Sequence, residues 1–509
     1  MQREAAENLI VTLPPPTPNG GLHLGHLAGP FLAGDVFAKA ASVKPFVLCY
    51  SDTNQSYVRV TAEQQGQEPR ELAHQWTVDI IETLATFGCE TDMYFEPNPE
   101  SNGFVRDLFV GLYDIGLLVK KPFPFFFSPS RNAFLDEAGV SGYCPTCSAS
   151  CKCGICEACG HANSAATLLD PKDTVHPSEP IELREVEVLV LEPERFRAEI
   201  TEFYTEDRPF RFHYRWLVED VLKEPLPDFP VSVPGNWGIS VDHSDFPSQV
   251  INAWPEIMAD FVYGYEKKFG GPEAGAKCSV VNFFGYDNSY FYAIVHVALL
   301  IALGRKNWLP DATLINEFYH LDQSKFSTSQ NHVLWARDMA AKYDPDMLRF
   351  YAAYSCPGFE TGNFNEAELV HVVSTKLSDV WSRTAKAFND SQLHKSSDGV
   401  SDNAVALARR VRERIFKSYS LDRFHLRQAT YDIVWALKFI EAKITEPSGF
   451  AKPDGAAREL LRSWAEAAYP IMPRAATNIL KVLNSRKPLP INLFVDGVSS
   501  RMKPHIAAE

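Results

Sequence analysis

The chain has 509 residues, 45% apolar and 22% charged, enough for several domains around a large buried core. Its net charge of −15 excludes a protein that coats nucleic acid through an all-round basic surface and leaves room only for a local basic groove. The first residues, MQREAAENLIVTLPPP, lack the basic-then-apolar build of a secretory signal, and the longest greasy run, YAIVHVALLIALG, is too short for a bilayer and carries His296.

The expectation is therefore a cytoplasmic chain, monomeric, that meets neither membrane nor DNA. In chain order, ENLIVTL reads as a strand that runs into the turn PPPTPNGG, and residues 24–43 have helical periodicity. KPFVLCYS is a second buried strand, followed by helical patterning to about residue 88. Strand–helix–strand of this kind predicts a parallel sheet with crossover helices. That texture breaks from about residue 121 to 226, then resumes with the strand and turn KCSVVNFFGYDN and the buried helix SYFYAIVHVALLIALG. After about residue 363 long amphipathic helices take over. The expected layout is the first half of a split α/β nucleotide domain (1–120), an insertion (121–226), the second half (227–320), a connecting region (321–362) and a C-terminal helical domain (363–509).

The first turn opens a helix with two histidines, His23 and His26, three residues apart. In a doubly wound sheet, ligands bind where strands end and helix N-termini point, and backbone N–H groups there favour anions. Two imidazoles add donors for a phosphate, and Asn19, Gly20 and Gly21 let the backbone approach closely. A surface turn with incidental histidines is the plainer alternative.

Six of the ten cysteines crowd into CPTCSASCKCGICEACGH, residues 144–161. Cys144/Cys147 and Cys156/Cys159 form two C-x2-C knuckles, a spacing that suits tetrahedral Zn²⁺. Disulfides are the alternative, disfavoured by the cytoplasmic reading. Four thiolates leave no open position, so the metal is expected to be structural. Cys151, Cys153 and His161 remain further ligand candidates.

HLGH resembles the HIGH signature of the class I aminoacyl-tRNA synthetases, and KFSTS at 325–329 resembles their KMSKS loop. The resemblance extends along nearly the whole chain and is to the methionyl type. FVLCYSDTNQSY keeps that family's acidic residue as Asp52, FFGYDNSYFY resembles its F-x-G-K-D-x-x-x-F-H, NWGISV its WGIPV, and AAYPIMPRAATNIL its closing helical segment.

It implies a Rossmann-like catalytic domain with a zinc-knuckle insertion and an all-α bundle. It also implies ATP-dependent activation of an amino acid to an adenylate, with Mg²⁺ accompanying ATP and tRNA as acceptor. The attacking carboxylate is already a nucleophile, so catalysis rests on positioning and charge stabilisation and needs no general base. The resemblance gives catalytic roles to His23, His26 and Lys325. It assigns Asn19, Gly20, Gly25, Gly285, Asp287, Ser327 and Ser329 to the nucleotide. Pro15, Thr17, Asp52, Trp254, Met258, Asn288 and Tyr292 fall to the amino acid, with Asp52 on its α-ammonium.

The chain also departs from the family. Thr328 replaces the second KMSKS lysine, Thr17 a tyrosine, Tyr286 the lysine of G-K-D and Tyr292 a histidine. Ile257 and Met258 stand where a small Ala-Pro pair is usual, which predicts a pocket for a side chain smaller than methionine or of different polarity. At the anticodon-reading end the family's Asn and Arg appear as Asp379 and Arg383, and its Pro-Trp pair is missing from EAKITEPSGFAK. Losing one base–aromatic stack removes roughly 1–3 kcal/mol. Three readings follow: a paralogue that passes the acyl group to a small hydroxylated amine, a methionyl enzyme of translation, and a non-catalytic nucleotide- or RNA-binding regulator. The retained His23, His26, Asp52, Asp287 and Lys325 disfavour the last.

Overall fold

The computed structural model describes residues 8–271, 278–326, 332–393, 399–446 and 455–494. They form two compact units. The first runs to Gly21 and continues over Pro45–Ile81 and Thr91–Ile315; the second holds Leu22–Lys44, Glu82–Glu90 and the described residues from Asn316 on.

The first unit is built on a five-stranded sheet whose order is Ala312–Asn316, Cys278–Gly285, Asn8–Thr12, Phe46–Tyr50, Met93–Phe95. The pairings of Asn8–Thr12 with Cys278–Gly285 and with Phe46–Tyr50, and of Phe46–Tyr50 with Met93–Phe95, are all parallel. The run FVLCY is buried at every position, as a strand covered on both faces must be. Thr12 donates to Asn282 Oδ1 (2.7 Å), joining strands that lie 270 residues apart in sequence. The central core sits against this sheet, around Leu48, Tyr50, Met258, Phe284, Phe291 and Tyr292.

Between the two halves of the sheet, the long strands Val119–Ser128 and Glu182–Leu191 pair antiparallel. A three-stranded sheet of Ser150–Lys152, Val140–Tyr143 and Leu169–Asp173 carries the cysteines.

The second unit contains the helix that begins at the paired histidines. It runs from Leu24–His26 through a widened turn at Leu27–Phe31 to Leu32–Ala40. Pro30 has no N–H to give the preceding turn, and Gly29 leaves helical geometry there (φ −87°, ψ −119°). The C-terminal helices Asp379–Asp390, Asp402–Phe416, Leu426–Thr445, Ala456–Ala468 and Pro473–Asn484 pack through a core where Trp381 stacks on Trp464 (5.5 Å). The fold is thus mixed α/β with a helical C-terminal region. Among the described residues no helix is long and apolar enough to cross a membrane.

Candidate active site

In the second unit, His23 and His26 cap their helix with each other. The His26 backbone N–H donates to His23 Nδ1, and the His23 N–H donates to His26 Nδ1, each at 3.3 Å. This is a capping box, normally made by Ser or Thr with Glu, built here from two imidazoles. Their rings stack at 3.7 Å, and Phe326 stacks on the other face of His23 at 4.7 Å. Gly25 is required: a Cβ there would come within 2.9 Å of the folded-back His23 ring.

Loss of hydration, then the neighbouring His26, hold His23 down to about pKa 2, with Lys325 also lowering it. Desolvation lowers His26 to about 4, although part of its surface stays open. Both rings are therefore neutral at pH 7. Because each Nδ1 accepts, each Nε2 carries the proton. The motif thus presents two neutral N–H donors in fixed orientation. Lys325 is exposed in the short strand Ser324–Lys325, over the Phe318 ring at 5.1 Å. Ser327, Thr328 and Ser329 lie outside the described residues.

In the first unit, the loop after Asn8–Thr12 carries Pro15, Thr17, Asn19 and Gly20. The neighbouring Pro16 carbonyl accepts from the Asp52 N–H (3.1 Å), which ties this loop to the segment holding Asp52. Asp52 is 4% exposed; burial, then the nearby Glu256, push its carboxyl well above the usual range. Gly285 ends its strand so that Asp287 can fold over it: a Cβ would meet Asp287 Oδ1 at 2.4 Å. Asn288 donates to Asp287 Oδ1 (3.1 Å) and holds that carboxylate in place.

Trp254 opens the helix Ala253–Phe269, stacks on Phe291 at 3.7 Å and donates its indole N–H to Glu137 Oε2 (2.6 Å). Met258 and Tyr292 line a cavity of about 30 Å³ together with Phe261, Tyr265 and His296. Typical small-molecule pockets are roughly 300–1,000 Å³, so these side chains fill most of the space.

The four knuckle sulfurs come together within 4.8 Å of one another. Cys144 and Cys159 are 3.7 Å apart, and Cys147 and Cys156 3.6 Å. A tetrahedron with Zn–S bonds of about 2.3 Å has edges of roughly 3.8 Å, so the residues fit the metal. Cys151, Cys153 and His161 fall outside this group; His161 instead meets Asp220 Oδ2 and the Cys159 carbonyl, each at 3.1 Å. The knuckle also touches the site. Tyr286 donates to the Cys159 carbonyl (3.0 Å), and a Cβ on Gly154 would lie 3.3 Å from the Glu137 carboxyl carbon.

Sequence reasoning missed Glu137, Tyr50, Asn54, Glu256 and Asp260. Glu137 comes from the insertion, over a hundred residues before the indole it holds. Its pKa is raised to about 7, chiefly by burial. Glu256 and Asp260 had a local signal: two acids one helical turn apart in the otherwise apolar WPEIMADFVYGY.

Residues 9–387 match the sequence profile of the family described as tRNA synthetases class I (M). Relatives include the methionine–tRNA ligase of Chlorobium phaeobacteroides, 26% identical over 519 residues, 94% of this chain and 73% of that one. That of Methanobrevibacter smithii is 26% identical over 406 residues, 76% of this chain, which spans 61% of the relative's length. Mycobacterium tuberculosis methionyl-tRNA synthetase, solved with methionyl-adenylate, has the same fold: TM-score 0.73 at 15% identity, covering 96% of this chain and all of that one.

Proposed function

Because the chain belongs to the class I tRNA synthetases of the methionyl type, we propose that it joins an amino acid to ATP as an aminoacyl adenylate, releases pyrophosphate and passes the acyl group to an acceptor. The reading rests on the imidazole capping box. As the α-phosphorus becomes five-coordinate, charge grows on its oxygens. Donors already oriented by their mutual cap meet that charge without reorganising. Neutral donors also avoid holding the ground-state triphosphate as tightly as two cations would.

Lys325 supplies the positive charge on the pyrophosphate side, Asp287 takes the ribose beside Gly285, and Asp52 takes the α-ammonium. Cys144, Cys147, Cys156 and Cys159 hold a structural zinc that stiffens the backing of Glu137 and Tyr286. The test is ATP–pyrophosphate exchange across the proteinogenic amino acids and ornithine: at least one must support exchange, and silence with all of them overturns the reading.

For the acceptor we favour a small hydroxylated amine over tRNA. In support, Arg383 is held by Glu441 in a two-pronged pair (2.7 and 3.3 Å), and Asp379 adds a carboxylate nearby on the same helix. Methionine attached to tRNA is the second reading, favoured by the alignment over 94% of the chain. Charging of methionine tRNA, with no transfer to free hydroxylamines, would decide for it.

A further inference from the structure

Where the strand Phe46–Tyr50 ends against the helix Ala253–Phe269, three carboxyls form a row. Asp52 follows the strand; Glu256 and Asp260 are one helical turn apart and share a face. Gly264 continues that face, and a Cβ on it would come within 2.6 Å of Leu48, so the helix lies directly on the strand. Exposure is 4%, 1% and 0% for Asp52, Glu256 and Asp260. Asn54 donates to Glu256 Oε1 (2.6 Å), yet Glu256 Oε2, Asp52 Oδ1 and both Asp260 oxygens have no hydrogen-bond partner. Among the described residues, no lysine, arginine or histidine offsets their charge.

A second, independent observation points the same way. The Tyr50 hydroxyl is fully buried and unpartnered, and Asp260, Asp52 and Glu256 are the charged groups around it. Four open carboxylate oxygens and a phenol ask for a compact group with several donors, and an alkylammonium has three N–H bonds on one charge. A metal ion fits less well, because among the described residues only the four cysteines gather closely enough to share one.

On the adenylate reading, the α-ammonium of the amino acid occupies Asp52. Asp260 and Tyr50 then stay unmatched. We infer that the row Asp52–Glu256–Asp260, with the Tyr50 hydroxyl, takes a second alkylammonium group beside the α-ammonium, so that the site serves an amino acid bearing a side-chain amine. Glu256 and Asp260, one helical turn apart, sit roughly 5–6 Å from each other at Cβ, close enough to share one ammonium.

The test is calorimetric titration of the full chain without ATP, using L-ornithine, L-norvaline and butylamine. The site predicts that ornithine binds at least about tenfold tighter than norvaline, and that Asp260→Asn reduces the difference below about twofold. Should Asp260→Asn fail to fold, the wild-type comparison decides alone. Saturable butylamine binding to the norvaline-loaded protein would place the second ammonium on a separate amine and still support the site. Ornithine and norvaline within about twofold, with no butylamine binding, overturns it.

Pyrophosphate exchange with the same amino acids keeps the two readings apart. No exchange with any amino acid, while ornithine is still preferred in binding, sinks adenylate formation and leaves the site. Exchange equally fast with norvaline and ornithine, with neither preferred in binding and no butylamine binding, sinks the site and leaves adenylate formation.

Discussion

Arg349 in the second unit and Asp260 in the first are both ionisable and both almost wholly buried, at 1% and 0% exposure. Their surroundings are opposite. Arg349 donates to Asp35 Oδ2 (2.7 Å) and to the carbonyls of Phe87 (2.9 Å), Pro470 (2.6 Å) and Ile471 (2.8 Å). One guanidinium thereby ties the histidine-bearing helix, the segment at 82–90, the helix Pro345–Tyr354 and the turn before Pro473–Asn484. Asp260 has no partner on either oxygen. A buried charge whose donors are all used specifies structure. A buried acid whose oxygens stand open costs stability, and on the inference above it is kept for a ligand. On that inference, the difference separates a centre that holds shape from one that awaits a ligand.

The comparison breaks most visibly at Arg349. Arg349→Met strands Asp35 and three carbonyls, at a cost of about 3–5 kcal/mol. Lys39, which also pairs with Asp35, keeps the loss toward the lower end. Urea unfolding followed by circular dichroism reads it directly. A loss under about 1 kcal/mol would show that the guanidinium is not the tie described.

Next in size is the imidazole pair. His23→Asn keeps a good N-cap acceptor but loses the stacked Nε2–H donor. Exchange should fall about 100-fold while the urea midpoint stays within error. If rate and stability fall together, the motif is a cap and nothing more.

That pair was also the most legible part of the sequence. HLGH is local, so spacing alone put both histidines at the mouth of a helix; that they cap and stack on one another came from the structure. The knuckle was legible for the same reason, since each C-x2-C closes one turn. The parallel sheet was readable from VLCY-type runs between helical stretches. What sequence reading lost is whatever depends on distant pairing. Glu137 belongs with Trp254, Tyr50 with Asp260, and Arg349 with Phe87 and Ile471. No local period announces such partners. The Glu256–Asp260 face was visible as a pattern, but only the strand beneath it shows that both acids point inward.

A smaller effect sharpens the contrast through pH, with opposite signs in the two units. The folded values of His23 and His26 lie below the free value of 6.5, so the unfolded chain takes up protons first as pH falls. They leave stability untouched above about 6.5 and reduce it progressively below. Asp52, Glu137, Glu256 and Asp260 have folded values raised by burial, so the unfolded chain releases protons first as pH rises. They reduce stability from about pH 4 upward, and Glu137 stops adding to the loss once it ionises in place near 7. Calorimetric scans between pH 4.5 and 8, compared with His23→Asn and Asp260→Asn, should show one variant flattening the acid side and the other the alkaline side.

The smallest predicted effect is the one that most sharply divides the two centres. Asp260→Asn leaves shape unchanged and removes the need to keep a proton on a buried acid. At pH 8 it should therefore raise stability by about 1 kcal/mol, the reverse of Arg349→Met. Its amide can also donate to Glu256 or to Tyr50, groups that currently have open acceptors. The same substitution should cut stabilisation by millimolar ornithine to the level norvaline gives, because an amide offers no charge to the second ammonium. A variant that is more stable alone and no longer prefers the side-chain amine is what an acceptor site without its ligand predicts. A variant destabilised as much as Arg349→Met would mean that Asp260 is held by the fold after all, and the distinction between the two buried centres would fall.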